Sequence, residues 1–299
     1  MSGFLGFPEH FPHGRLPKAV MFGAGHGSTY PGKTSSAFAL APDLIRAASQ
    51  EDAELVEHWD FDLGGPLFNG YPNSCIDLGN LGTTMEDNEG NRAQIERKTR
   101  EILALPALPI LLGGDDSTPI PFLAGFTDHG PIWVLQIDAH IDWRDELGGE
   151  RSGYSSPMRR ASEMPHVAGI VQVGMRGVGS ARLGELEAAA VYGSGTVTAR
   201  QVHSQGVEAA LRRIPKGANV VITLDCDGLN PSIMPGVIAP SPGGLTYTQV
   251  IDIIAGVGNR ARIAGFDVVE FYPPADLGSL TALTAARFLV NVIGQVARP

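Results

Sequence analysis

Ile132-Trp133-Val134-Leu135-Gln136-Ile137-Asp138-Ala139-His140-Ile141-Asp142 is an apolar run that ends in two acids with an imidazole between them. Val220-Val221-Ile222-Thr223-Leu224-Asp225-Cys226-Asp227 repeats the arrangement with a second acidic pair. Near-continuous apolar runs of this length are expected to be strands buried on both faces, as in a parallel sheet covered by helices. Side chains of an extended chain alternate, so Asp138, His140 and Asp142 are expected on one face. Asp225 and Asp227 are likewise expected to share a face, with Cys226 turned into the packed interior. Strand ends furnished in this way suit two divalent cations, which lower the pKa of water and create a nucleophile at neutral pH.

Working outward, further strands are expected over 19–23, 55–59, 110–112, 169–173 and 263–268, and helices over 41–49, 88–104, 180–190, 204–213, 246–259 and 280–296. Thr246 and Gln249 form a capping-box signal, and Ser279 is the candidate cap of the last helix. Alternating strands and helices predict an α/β fold with a mostly parallel sheet between two helical layers. In such folds ligands collect beyond the carboxyl ends of the strands, where both acidic clusters lie. No repeat or linker divides the chain, so residues 1–299 are expected to form a single domain, with 235–244 a shaped Pro/Gly-rich loop.

The 299 residues are 43% hydrophobic and 18% charged, enough to bury a sizeable core. A net charge of −10 disfavours nucleic acid and anionic membrane as partners and suits a small cationic substrate. The opening Met1–His10 stretch has no basic segment followed by an apolar core, so no signal peptide is expected. No apolar run is read as long enough to span a bilayer. Cys75 and Cys226 are the only cysteines and lack metal-type spacing, which predicts a reduced, cytoplasmic protein.

Other stretches carry competing readings. Gly113-Gly114-Asp115-Asp116-Ser117 brings acids to a strand end, or starts a helix with Asp116 or Ser117 as cap and Pro119 in the first turn. Asn230-Pro231 after the second acidic pair reads as a turn. Glu270, closing Gly265-Phe266-Asp267-Val268-Val269-Glu270, either accepts paired hydrogen bonds from a guanidinium or bridges to a neighbouring arginine. Gly27-Ser28-Thr29-Tyr30-Pro31-Gly32-Lys33-Thr34 matches the phosphate-binding pattern G-x-x-x-x-G-K-[ST]. That motif needs a helix starting at its lysine. Pro31 interrupts the loop and Pro42 delays the helix, so a nucleotide site is not expected.

Gly113-Gly-Asp-Asp-Ser117, Asp138-Ala-His-Ile-Asp142, Leu224-Asp-Cys-Asp-Gly-Leu-Asn-Pro231, Pro242-Gly-Gly-Leu245 and Gly265-Phe-Asp-Val-Val-Glu270 together resemble the ureohydrolase family, the arginases and agmatinases, in its agmatinase-like branch. The resemblance runs from Ala19 to Phe271-Tyr272-Pro273. It implies a three-layer αβα fold and a two-metal centre, Mn²⁺ first and Ni²⁺ as the alternative. It also implies hydrolysis of a guanidino compound to urea and an amine, and assembly into trimers or hexamers. Position by position, Asp138, His140, Asp142, Asp225 and Asp227 match the family's metal ligands, with Asp138 and Asp225 shared between the metals. Asp142 would also manage the proton of the attacking water, and Glu270 would grip the guanidinium.

The chain departs from that pattern at three positions. Asp116 stands where the family usually has His; it still ligates, but makes the donor set more anionic. Tyr154, in the 151–160 loop, aligns where many members place a His near the leaving amine, and a phenol is a poorer proton shuttle at neutral pH. Asn230 replaces a common Asp and is read as loop support. Trp143, Arg144 and Tyr154 are the further substrate-contact candidates. Arg144 or Arg151 would suit a substrate carboxylate, Asp145 or Glu146 a second cation, and a surface ion pair among the four is the plainer reading. The alternatives carried are a non-catalytic subunit that joins a paralogous partner in a mixed oligomer, and a hydrolase of a formimino-type C–N bond.

Overall fold

The computed structural model describes residues 3–11 and 14–298; Met1 and Ser2, the start of the stretch read for a leader, lie outside them. Among the described residues eight strands form one sheet: β1 (Ala19–Ala24), β2 (Cys75–Asn80), β3 (Leu108–Gly113), β4 (Ile132–Ile137), β5 (Val167–Met175), β6 (Gly195–Thr198), β7 (Asn219–Asp225) and β8 (Arg262–Val269). Their order is β2-β1-β3-β8-β7-β4-β5-β6, and every pairing is parallel. Parallel strands need crossovers, and these place helices on both faces. One core holds Ile137, Leu224 and Phe266; the other holds Phe22, Val134 and Val221. Both faces of the central strands are therefore dry, which is why the strands read as unbroken apolar runs.

The helices are α1 (Ala41–Ser49), α2 (Asn88–Leu103), α3 (Pro119–Ala124), α4 (Pro157–Ser162), α5 (Leu183–Tyr192), α6 (Ala199–Gln205), α7 (Glu208–Leu211), α8 (Tyr247–Arg260) and α9 (Leu280–Ala297). The capping box of α8 is present: Gln249 N–H donates to Thr246 Oγ1 at 3.2 Å, and Thr246 N–H donates to Gln249 Oε1 at 3.0 Å. Ser279 does not cap α9 with its side chain. It takes a left-handed φ of 60°, and Asp276 accepts from the Thr281 and Ala282 amides instead. Arg46 of α1 grips Asp77 of β2 through Nε at 2.7 Å and Nη2 at 2.9 Å, a buried two-point ion pair that seats the edge strand.

Several expectations are corrected. Residues 55–59 form turns, not a strand, and Trp59 there is 62% exposed, so its apolar character marks surface. β2 and β6 escape hydropathy reading because they are edge strands carrying Asp77, Gly79, Asn80, Gly195 and Thr196. The single helix expected over 204–213 is α6 and α7, broken at Gly206 with φ 76°. α9 is long and apolar enough to cross a bilayer by length and composition, contrary to the expectation, but 72% of it is buried in the fold, where it packs as a core helix.

Strands β3, β8, β7 and β4 are consecutive neighbours in the sheet. Their carboxyl ends deliver Asp115 and Asp116, Glu270, Asp225 and Asp227, and the Asp138–Asp142 stretch to one edge. The winding of the sheet changes direction here, leaving the crevice where α/β folds take ligands.

Candidate active site

The acids converge, but strand alternation does not bring them together. β4 ends at Ile137, and Asp138 to Asp142 follow an irregular path in which Asp142 has φ 50°. β7 ends at Asp225, and Asp227 sits in the single 3-10 turn Cys226–Gly228. The exit segments curl towards each other. Gly228 lies so close to β4 that a Cβ there would stand 2.8 Å from the Asp138 nitrogen, so only glycine admits the approach. Cys226 is fully buried in the core, as expected.

Backbone amides hold the carboxylates. His140 N–H donates to Asp138 Oδ1 at 2.6 Å, Asp227 N–H to Asp225 Oδ1 at 2.7 Å and Ala139 N–H to Asp227 Oδ1 at 3.1 Å. His140 Nδ1 lies 3.0 Å from Asp227 Oδ2 and 3.5 Å from Asp138 Oδ1. Across the crevice, Asp116 N–H donates to Glu270 Oε1 at 2.9 Å, and Glu270 N–H donates to the Gly114 carbonyl at 2.8 Å. Glu270 has φ 59°, so both Glu270 and Asp142 are held in backbone conformations costing on the order of 1–3 kcal/mol each, as at many functional sites. Asp116 is not a helix cap: α3 starts at Pro119, after Thr118.

Two donor sets result. Asp138, His140 and Asp227 offer atoms within 4.8 Å of one another; Asp116, Asp138 and Asp225 do the same. Asp138 belongs to both. Asp142 belongs to neither set but lines the same cavity. Burial, then repulsion from neighbouring carboxylates, holds Asp116, Asp138 and Asp225 well above the usual carboxylate range. Burial also raises Asp142 and Glu270. For His140, burial pulls downward, but the hydrogen bond and charge of Asp227 outweigh it and lift the imidazole to about 9. Asp227 goes the other way, with His140 overcoming its burial. The buried Oδ2 of Asp116 has no hydrogen-bond partner among the described residues. Buried carboxylates packed this closely, one of them with an unpartnered oxygen, fit a pair of hard divalent cations.

A buried polar row backs the cluster. Gln136 Nε2 donates to Asp138 Oδ2 and to Asp142 Oδ2, each at 2.6 Å. Gln172 Nε2 donates to Gln136 Oε1 at 2.6 Å, and Trp143 Nε1 and Ser194 Oγ donate to Gln172 Oε1 at 2.8 and 2.9 Å. With its amide oxygen engaged by Gln172, Gln136 must present its NH₂ to the two carboxylates, which fixes their orientation. The row continues through Thr223, whose hydroxyl donates to Asp267 Oδ1 at 2.7 Å.

Burial pushes the Asp267 carboxyl up to about 8, with the Thr223 hydrogen bond opposing it only partly. The unfolded chain ionises near ~3.9. The stability this group contributes is therefore complete below that pH and is lost as the pH rises towards about 8. Asp267→Asn is expected to be more stable than the parent near pH ~8, by on the order of 2–4 kcal/mol, and to lose the advantage as the pH falls to ~4. Denaturant unfolding across that range checks this; a gap that does not change with pH would contradict it.

The cavity above the acids has a volume of about 440 Å³. Tyr154 lines it, edge-on to Tyr30 with ring centroids 4.8 Å apart. Burial, then the neighbouring Tyr30 and Glu270, push the Tyr154 phenol up, so it stays a donor at neutral pH. Trp143 is corrected from substrate contact to core residue: it is 2% exposed, with its ring against Tyr192 and its indole N–H on Gln172. The left-handed turn at Asp142 sends the next side chain inward. Arg144 does not line the cavity either; its Nε lies 3.6 Å from Glu185 Oε1. Arg151 and Asp145 pair with each other at 3.2 Å, and Asp145 also pairs with Arg160 at 2.7 Å, so the plainer surface reading holds for them.

The arginase-family model matches residues 17–294. The chain belongs to the arginase family. It is 30% identical over 223 residues to the mitochondrial guanidino acid hydrolase of Homo sapiens, covering 73% of this chain and 63% of that protein, just under two thirds of its length. It is 31% identical over 262 residues to the agmatinase of Chromobacterium violaceum, covering 85% and 76% of the two chains. The structure of proclavaminate amidino hydrolase from Streptomyces clavuligerus superposes with a TM-score of 0.83 at 26% identity, covering 99% of this chain and 97% of that one. The three-layer fold of this arginase-family member is thus shared across the whole chain.

Sequence reasoning missed three residues that shape the site in this family member. Gln136 and Gln172 are amides within otherwise apolar buried strands, and that break in hydropathy was the available signal. Arg176 donates to the carbonyls of Asp227, Leu229 and Ser241, bracing the second acidic loop against the Pro242 loop. Nothing in the order of the sequence singles Arg176 out, because its partners are main-chain atoms.

Proposed function

We propose that this protein is a metal-dependent amidinohydrolase that cleaves a C–N bond of a guanidino compound, releasing urea and an amine. The observation that carries the reading is the pair of three-donor sets that share the fully buried Asp138, whose other members, Asp116, His140, Asp225 and Asp227, line one cavity with Glu270. Family membership supports it, as do relatives named for guanidino acids and for agmatine. Asp138, His140 and Asp227 would hold one divalent cation and Asp116, Asp138 and Asp225 the other, with Asp142 beside both. The oxygen-rich set favours Mn²⁺, with Ni²⁺ second, and such ions supply Lewis acidity and a reactive water at neutral pH.

The chain's own residues do the rest. Glu270 Oε1 is held by the Asp116 amide, which leaves Oε2 to accept guanidinium N–H groups and set the central carbon over the acids. Asp142, kept in place by Gln136, takes the proton of the attacking water and passes it to the departing amine. Tyr154 donates a hydrogen bond on the side of the leaving group. A non-catalytic subunit is disfavoured by the complete donor set. Assembly into a homo-oligomer belongs to the same reading and is supported by exposed Val178, Leu183 and Val191 around α5; so does a cytoplasmic setting, with its two free, buried cysteines.

The test is to load purified protein with Mn²⁺, Ni²⁺ or Co²⁺, measure bound metal, and screen guanidino compounds for urea. About two ions per chain and urea from at least one compound are expected. No retained metal, or metal without urea from any compound, would overturn the proposal.

A further inference from the structure

We infer that the cavity selects substrates with an anionic tail, namely ω-guanidino carboxylates, through Lys33 at its rim; this rests on the amidinohydrolase reading above. The stretch that mimics a phosphate-binding loop is the mouth of this cavity: Thr29, Gly32, Lys33 and Thr34 all line it. It is a built segment. Thr29 N–H donates to Asn88 Oδ1 and Asn88 Nδ2 donates to the Thr29 carbonyl, each at 3.0 Å; Lys33 N–H closes on the Tyr30 carbonyl at 3.0 Å, with Gly32 at φ 74°.

The cavity is divided along its length by chemistry. Its floor carries the carboxylates. Phe38, Ile238 and Ala239 line it with apolar surface, suited to the methylenes of a linker. Its rim carries Lys33, which among the described residues has no ion pair and no side-chain hydrogen bond. No arginine lines the cavity among the described residues, and the two named as candidates from the sequence are engaged elsewhere, Arg144 with Glu185 and Arg151 with Asp145 and Glu163. The acids that would welcome a second positive charge, Asp145 and Glu146, do not line the cavity. A guanidinium seated on Glu270 would extend its tail past the apolar wall towards this rim, where Lys33 offers an ammonium without a partner among the described residues. A carboxylate gains a charge-assisted hydrogen bond there, whereas an ammonium meets repulsion.

The experiment compares 4-guanidinobutyrate, butylguanidine (the same guanidinium on an uncharged tail) and agmatine with metal-loaded wild type, Lys33→Met and Lys33→Arg. Wild type is expected to rank them in that order by kcat/KM. Lys33→Met should cut kcat/KM for 4-guanidinobutyrate about tenfold through KM, leave butylguanidine unchanged and spare or improve agmatine. Lys33→Arg should retain the order. Calorimetric binding of 4-guanidinobutyrate to metal-free wild type and metal-free Lys33→Met gives the same comparison without turnover, with about tenfold weaker binding expected in the variant. Urea release with agmatine preferred, or equal loss for all three compounds in Lys33→Met, would overturn the inference while leaving the parent reading standing. No urea from any compound would overturn both.

Discussion

Asp138→Ala is expected to abolish metal retention at both positions and lower turnover by at least about 10⁴-fold, to background. Asp138 is the one residue common to the two donor sets, so its loss leaves each with two donors. The variant should still fold. Burial and the charges of Asp142 and Asp227 hold the Asp138 carboxyl well above its usual range, so removing it relieves repulsion in the metal-free protein. The metal-free variant should therefore melt at or above metal-free wild type. Wild type should gain thermal stability on Mn²⁺ addition, because an ion that binds only the folded state stabilises it, and the variant should gain none. Metal analysis, urea release and melting with and without Mn²⁺ check these points. A variant that keeps two ions and full activity would remove the centre from this crevice.

Glu270→Gln is expected to keep its metal and its fold but lose about 10²–10³-fold in kcat/KM. Glu270 lies outside both donor sets, so metal content should not change. The Gln carbonyl can still accept from the Asp116 amide, which preserves the link between β3 and β8. What disappears is the negative charge and one acceptor facing the guanidinium, and an NH₂ group now faces N–H donors. Steady-state urea release with parallel metal analysis checks the separation. Loss of metal along with activity would show that Glu270 belongs to the metal centre and does not act as a substrate anchor.

Much of the fold was legible because burial on two faces leaves a strong mark in composition. β4, β7 and β8 are apolar runs bounded by acids, and their spans are read nearly residue for residue. β2 and β6 were not legible, because an edge strand needs little apolar surface and its pairing comes from main-chain hydrogen bonds that any residue supplies. Residues 55–59 failed in the opposite sense: apolar side chains there sit on the surface, which hydropathy cannot distinguish from core.

The site was legible in its membership more than in its geometry. Asp116, His140, Asp142, Asp225, Asp227, Glu270 and Tyr154 line one crevice, and the buried Asp138 joins two of its donor sets. Trp143 did not join them, because one left-handed residue reverses the direction of the side chain that follows. The lysine of a discarded nucleotide-like motif took a place at the rim instead.

The amino-acid order by itself determined that the chain builds a covered parallel sheet whose strand ends carry acids, since apolar periodicity and charge placement are local properties of a polymer. Only the tertiary structure decided that β3, β8, β7 and β4 stand side by side, that Asp138 serves two donor sets, and that Lys33 has no partner among the described residues while Arg144 and Arg151 are engaged. Those facts depend on distances between segments far apart in sequence, and such distances exist only once the sheet has been assembled.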